Sequence, residues 1–152
     1  MPNSLGGSRA VDSAPLSKPK NTTILSSIQL DGTLRYTTFS GGTTVERFKR
    51  YLETDLLPHL NENSVLIMDN MKLHHAKAVK NLLDSSGVRY IYLPPYSPDL
   101  NPIEKLWSKV KAFLRKFKAR TLDALPNAIQ NAFHSVTISD CSGWFRFCGY
   151  AL

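Results

Sequence analysis

Thiols and imidazoles are scarce in this sequence: two cysteines, Cys141 and Cys148, and four histidines among 152 residues. So few thiols rule out a disulfide-built secreted scaffold and leave two reduced cysteines in a cytosol as the plain reading, with a single disulfide or metal pair as the alternative. No set of thiolates and paired imidazoles points to zinc. No apolar run is long enough to cross a bilayer. The first fifteen residues, MPNSLGGSRAVDSAP, lack the apolar centre of a secretion signal. Internal repeats and low-complexity tracts are absent too, which argues against a solenoid or a tail-like chain.

What remains is ordinary globular material, 42% hydrophobic and 20% charged, of a length suited to one domain with a real core. The charge is unevenly spread. Of the net +7, residues 72–120 hold 11 Lys and Arg against 3 Asp and Glu, and the rest holds 8 against 9. A basic half suits a polyanionic partner, although a solvated lysine-rich surface gives the same count.

Residues 1–20, rich in Gly, Ser and Pro, read as an irregular lead-in, with the domain proper over 21–152. Thr22–Gln29 and Leu34–Phe39 are β-prone and flank Leu-Asp-Gly-Thr, whose Asp-Gly predicts an antiparallel hairpin. Thr43–Leu57 has a helical apolar stripe of Val45, Phe48, Leu52 and Leu56, with capping-box spacing from Thr43 to Glu46. Ser64–Met68 is a short, wholly apolar run, as in a strand buried on both faces. A helix over His74–Ser86 stops at Gly87, and Val88–Leu93 is a further strand, so this stretch predicts a parallel βαβ unit. From Ile103 the chain carries the strongest amphipathic pattern: Ile103, Leu106, Trp107, Val110, Phe113, Leu114 and Phe117 on one face. Lys105, Lys109, Lys111, Arg115, Lys116, Lys118 and Arg120 fill the other positions. Helices over Thr121–Val136, started or kinked at Pro126, and roughly Ser139–Phe147 complete a mixed α/β sheet flanked by helices.

Two carboxylates stand out. Asp69 ends the buried strand, where open α/β sheets carry their ligand sites, and is followed by the polar Asn70. It can hold a metal ion or cap a turn. Glu104 follows Tyr92–Ile103, YLPPYSPDLNPI, which packs four prolines into nine residues. With Asn101 as N-cap and Pro102 at the first helical position, Glu104 falls at the third, where it can serve as a helix cap. The prolines favour a second role. They stiffen the loop and turn the helix start into a platform, and carboxylates that share metal ions must be held within about half an ångström. The 34 residues between Asp69 and Glu104 form a helix and a strand that bring the chain back beside its starting point. Such a pair suits Mg²⁺ or Mn²⁺. His74 opens the helix after Asp69, where it can meet a phosphate, orient a carboxylate or do neither. His75 reads as solvent-facing, and His59 and His134 carry no signal.

The segments VLIMDNMKLHHAKAV and YLPPYSPDLNPIEKLWSKVK resemble the catalytic core of mariner-superfamily transposases, in particular their bacterial insertion-sequence relatives. The resemblance implies a ribonuclease H-like fold and two-ion, metal-dependent cutting and joining of DNA. It places the second Asp and the final Glu of the family's DDE pattern on Asp69 and Glu104. It implies that the basic positions of the 103–120 helix track phosphates. Transposon ends and target DNA are the implied partners, in a homodimer, in the bacterial cytoplasm near the nucleoid and without a membrane.

The family's first carboxylate ends a central strand upstream of the hairpin. The chain is expected to begin just past it, since Asp12 follows only a short Ala-Val run and Asp31 belongs to the Asp-Gly turn. A sheet without its first, central strand would leave a gap or unpaired edges and a marginally stable protein. The chain then reads as part of a transposase completed by an upstream polypeptide and inactive alone. A non-catalytic DNA-binding remnant is the alternative. A signal-receiver domain, with Asp69 as phosphoacceptor, fits less well because the hairpin and proline loop break strict βα alternation.

Overall fold

A strand runs through the segment that reads as an irregular lead-in. The computed structural model describes residues 8–16, 22–117 and 125–150, and β1 spans Ser8–Leu16. It lies at the centre of a five-stranded sheet of order β3-β2-β1-β4-β5. The other strands are β2 (Thr22–Gln29), β3 (Leu34–Ser40), β4 (Val65–Met68) and β5 (Arg89–Tyr92). The expectation of a sheet lacking its central strand, with 1–20 outside the domain, is therefore corrected. Ser, Ala, Asp and Pro are poor strand formers, so SRAVDSAPL carries no local β signal. Its neighbours make it a strand. It pairs antiparallel with β2 along its whole length, from Arg9 opposite Gln29 to Leu16 opposite Thr22. Ser8–Val11 also pair in parallel with Val65–Met68. Pro15 lies past the end of the β4 ladder, where a strand tolerates a missing N–H.

The expected hairpin forms β2 and β3, with Asp31 Oδ1 accepting from the Thr33 amide at 2.9 Å. Gly32 takes φ +95°, and any Cβ there would lie 2.7 Å from Cγ1 of Ile138, so both conformation and space demand glycine. The expected βαβ unit is also present, β4 and β5 running parallel with Val65 opposite Arg89.

Helices cover both faces. On one, α1 (Val45–Tyr51) and α2 (Lys77–Ser86) enclose a core with Leu25, Phe48, Leu52, Leu66, Met68, Val79 and Leu83. On the other, α3 (Ile103–Phe117), α4 (Leu125–His134) and α5 (Ile138–Phe147) bury Ile103, Leu106, Trp107, Val110, Ile129 and Phe133 against Ile24 and Ile28. The amphipathic pattern of α3 is the cause: its apolar stripe is the face laid on the sheet.

Several boundaries shift. The cap of α1 is Thr44, whose Oγ1 accepts from the Arg47 amide at 3.2 Å, so the box expected between Thr43 and Glu46 does not form. That helix passes into a π-turn over Leu52–Leu56 and a 3₁₀ turn at Leu57–His59, where Pro58 cannot continue an α ladder. The helix expected from His74 begins instead as a 3₁₀ turn over Lys72–His75, and Ala76 at ψ 141° separates it from α2. Gly87 ends α2 at φ +77°, as a left-handed stop. Pro126 sits in the first turn of α4, and positions 121–124 of the expected helix lie outside the described residues.

A capping box forms at α5. Thr137 Oγ1 accepts from the Asp140 amide at 2.9 Å, and Asp140 Oδ2 accepts from the Thr137 amide at 3.0 Å and from Lys109 Nζ at 2.5 Å. The Lys109 ammonium and the Thr137 amide hold the Asp140 carboxyl below its ordinary value. Asp140→Ala is expected to lower stability by about 1–2 kcal/mol, measured by urea denaturation at neutral pH. A depressed carboxyl stabilises above its unfolded pKa and loses that contribution as pH falls through its folded one. The gap between variant and parent should therefore narrow in acid.

Candidate active site

The ends of β4 and β5 and the start of α3 meet at one cleft. Asp69 follows the last residue of β4, and the ladder holds the next loop to it: the Leu93 amide donates to the Met68 carbonyl at 2.8 Å. The proline loop then turns back through a 3₁₀ turn at Pro98–Leu100 into α3. Asn101 is buried and caps that helix, its Oδ1 accepting from the Ile103 amide at 3.3 Å and its carbonyl from the Glu104 amide at 3.1 Å. The result is a cleft of about 350 Å³ whose lining includes Asp69, Asn70 and Glu104 together with Pro94, Pro95 and Tyr96. The loop is tied from the far end of the chain as well. The Tyr150 hydroxyl donates to the Leu100 carbonyl at 2.8 Å, and burial pushes that phenol up to about 12.

Asp69 is held from below. His74 is 1% exposed, stacks on Phe48 with centroids 4.7 Å apart, and brings Nδ1 to 2.8 Å from Asp69 Oδ1. Tyr92 fixes the backbone there, its hydroxyl donating to the His74 carbonyl at 2.7 Å. The Met71 amide donates to the same Asp69 Oδ1 at 3.0 Å. Both bonds fall on Oδ1, and neither uses Oδ2. Burial alone would raise the Asp69 pKa, but the hydrogen bond and charge of His74, with the Met71 amide, outweigh it and hold the carboxyl below its ordinary 3.8. Asp69 is thus an ionised oxygen donor at neutral pH. Asn70 is engaged otherwise, with Oδ1 at 2.6 Å from His75 Nε2, and the His75 ring stacks on Tyr92 at 3.9 Å.

Of the residues singled out from sequence, Asp69, Asn70 and Glu104 line the cleft, His74 lies beneath it and Asn101 supports it. The basic positions of α3 are divided. Lys109 is paired with Asp140, and Lys105 sits with Nζ 4.0 Å from the Phe147 ring centroid. Lys111 is half-buried, Arg115 and Lys116 are exposed, and Lys118 lies outside the described residues. Both cysteines are free and buried, and burial pushes the Cys141 thiol up to about 11. Among the described residues no three His, Cys, Asp or Glu gather into a metal-holding group. No helix among them is long and apolar enough to cross a membrane.

Sequence reasoning missed two features. One is the position of Asp12. Val11 pairs with Met68 in the parallel ladder, so the next positions, 12 and 69, follow abreast on neighbouring strands. The other is Tyr96, whose place at the cleft mouth no local pattern announces.

The sequence profile of the DDE superfamily endonuclease family matches residues 4–126. The Tc1 transposase of Caenorhabditis elegans is 30% identical over 97 residues, covering 61% of this chain and 36% of that protein. The chain therefore spans about a third of the length of this relative. The catalytic domain of Mos1 mariner transposase superposes with a TM-score of 0.80 at 18% identity, over 93% of this chain and 76% of that one, and has also been solved with Mn and with Mg. The catalytic core of BIV integrase gives a TM-score of 0.62 at 18% identity, over 86% of this chain and 82% of that one. These likenesses show a ribonuclease H-like fold.

Proposed function

This chain belongs to the DDE superfamily endonuclease family, and from that premise we propose that it is the catalytic core of a DNA transposase, cutting and joining DNA with divalent metal ions. The observation that carries this is the shared cleft: Asp69 from the end of an inner strand and Glu104 from the first turn of a helix line one opening. The donors fit the metal. They are carboxylate oxygens in an open cleft, and the thiols are buried and do not line it. Hard cations such as Mg²⁺ and Mn²⁺ prefer this chemistry, and the Mos1 domain has been solved with both ions. Bound there, they supply charge that activates an attacking water or 3′-hydroxyl and stabilises the departing oxygen. The chain's own residues orient the donors. His74 and the Met71 amide fix one Asp69 oxygen, and Asn101 and the proline loop fix the root of Glu104. Arg115 and Lys116, exposed on α3, meet the phosphates of the DNA, with affinity that falls steeply as salt rises. Transposon ends and target are the DNA partners, in an assembly of two copies with the further transposase polypeptide that completes the enzyme.

The 152 residues alone do not transpose DNA in this reading, because the chain spans about a third of the length of the Tc1 transposase it is similar to. The test is purified protein with Mg²⁺ or Mn²⁺ and a labelled duplex bearing the element's terminal repeat. The duplex should stay intact. Nicking that Asp69→Ala abolishes would show the chain complete in itself. One observation favours that second reading, namely the parallel ladder that sets position 12 abreast of position 69. On it, Asp12→Asn would also abolish the nicking. A protein that holds neither metal nor DNA-cutting activity in any assembly would be a binding remnant.

A further inference from the structure

Tyr96 packs into neither of the two cores. Its side chain is fully exposed, at 100%. It is also the single non-glycine with positive φ among the described residues, at +58°. A residue with a Cβ is disfavoured there, and for a bulky side chain such a conformation is a genuine outlier. Exposure and strain together, at the mouth of a functional cleft, point toward a ligand.

The surroundings say which ligand. Tyr96 lines the cleft that holds Asp69 and Glu104, beside Leu93, Pro94 and Pro95 and with Met71, itself 44% exposed, on the other loop. The cleft thus joins an acidic, metal-accepting part to an apolar wall. The loop that presents the ring is stiff. Prolines stand at 94, 95 and 98, and the Ser97 hydroxyl donates to the Pro95 carbonyl at 3.2 Å. Its two ends are tied to Met68 and Tyr150. A rigidly mounted ring loses little freedom on stacking. Given the metal-site reading above, on which this inference rests, a phosphate lies at the carboxylates, and its attached sugar brings a base to the apolar wall. Bases inside a duplex are already stacked and cannot reach it. We propose that Tyr96 is a stacking platform for an unpaired nucleobase next to the reacting phosphate, one that frays or turns out of the helix when DNA enters the cleft.

The test uses the full chain, Mg²⁺, and a hairpin DNA carrying an unpaired 2-aminopurine at its end, read by anisotropy and by 2-aminopurine fluorescence. Tyr96→Phe keeps the ring; Tyr96→Asn removes it and tolerates the left-handed backbone, so its melting temperature should equal or exceed the parent's. The parent and Tyr96→Phe should bind alike and quench the base. Tyr96→Asn should bind about 5- to 100-fold more weakly without quenching, from the usual worth of one stacked base. All three should converge when the 2-aminopurine is replaced by an abasic site. Binding of Tyr96→Asn within twofold of the parent on the unpaired base overturns the proposal. The metal reading fails separately: Asp69→Asn and Glu104→Gln would then show the parent's response to Mg²⁺, whatever the Tyr96 variants do.

Discussion

Removing residues 1–17 should leave a chain that no longer unfolds cooperatively. The segment holds β1, which stands between β2 and β4 and joins the hairpin half of the sheet to the parallel half. Without it, inner edges of Thr22–Gln29 and Val65–Met68 lose their ladders, in strands whose residues from Thr23 to Ile28 and from Leu66 to Met68 are buried. Each buried backbone group left unpaired costs about 1–3 kcal/mol, and a domain of this size has only about 5–15 kcal/mol in total. A handful of such losses exceeds the whole. Urea denaturation followed by circular dichroism should show a broad, shallow change, and light scattering should show association through the opened edges. A shortened chain that keeps the parent's midpoint and slope would mean that Ser8–Leu16 contributes nothing to the sheet.

The second large effect is on metal. Asp69→Asn and Glu104→Gln should each weaken Mn²⁺ binding at least about tenfold, or about 1.4 kcal/mol, and the double variant should bind none in titration calorimetry. Both changes keep side-chain volume. Asn at 69 still offers an oxygen to the Met71 amide, and Gln at 104 leaves the backbone of the helix start untouched, so the loss reads charge rather than folding. The same result appears as stability. At a hundred times its dissociation constant, Mn²⁺ should stabilise the parent by about 2.7 kcal/mol and the double variant not at all. Equal Mn²⁺ binding by all four proteins would remove the two carboxylates from the site.

Most of the fold could be read before any coordinate, because it rests on local patterns. The Asp-Gly hairpin, the apolar SVLIM strand, the Gly87 stop and the stripe of α3 each follow from spacing alone. Position also picked out Asp69 and Glu104, one ending a buried strand and one following a stiffened loop. The misses have a common cause. SRAVDSAPL becomes a strand through partners far along the chain, so its own composition conceals it. Lys109 meets Asp140 across 31 positions, which removed it from a face that looked uniformly free for phosphates. His74 occupied an undecided place in the sequence, and only packing under Phe48 makes it a support for Asp69. Tyr96 owes its interest to a backbone angle and to complete exposure, neither of which is written in residue type.

The Tyr150 hydroxyl reaches back fifty positions to the Leu100 carbonyl, in the 3₁₀ turn that leads into α3. One oxygen atom that lines no part of the cleft thus shares in aiming the helix start that carries Glu104. Removing it with Tyr150→Phe should slacken the proline loop while every group that lines the cleft stays in place.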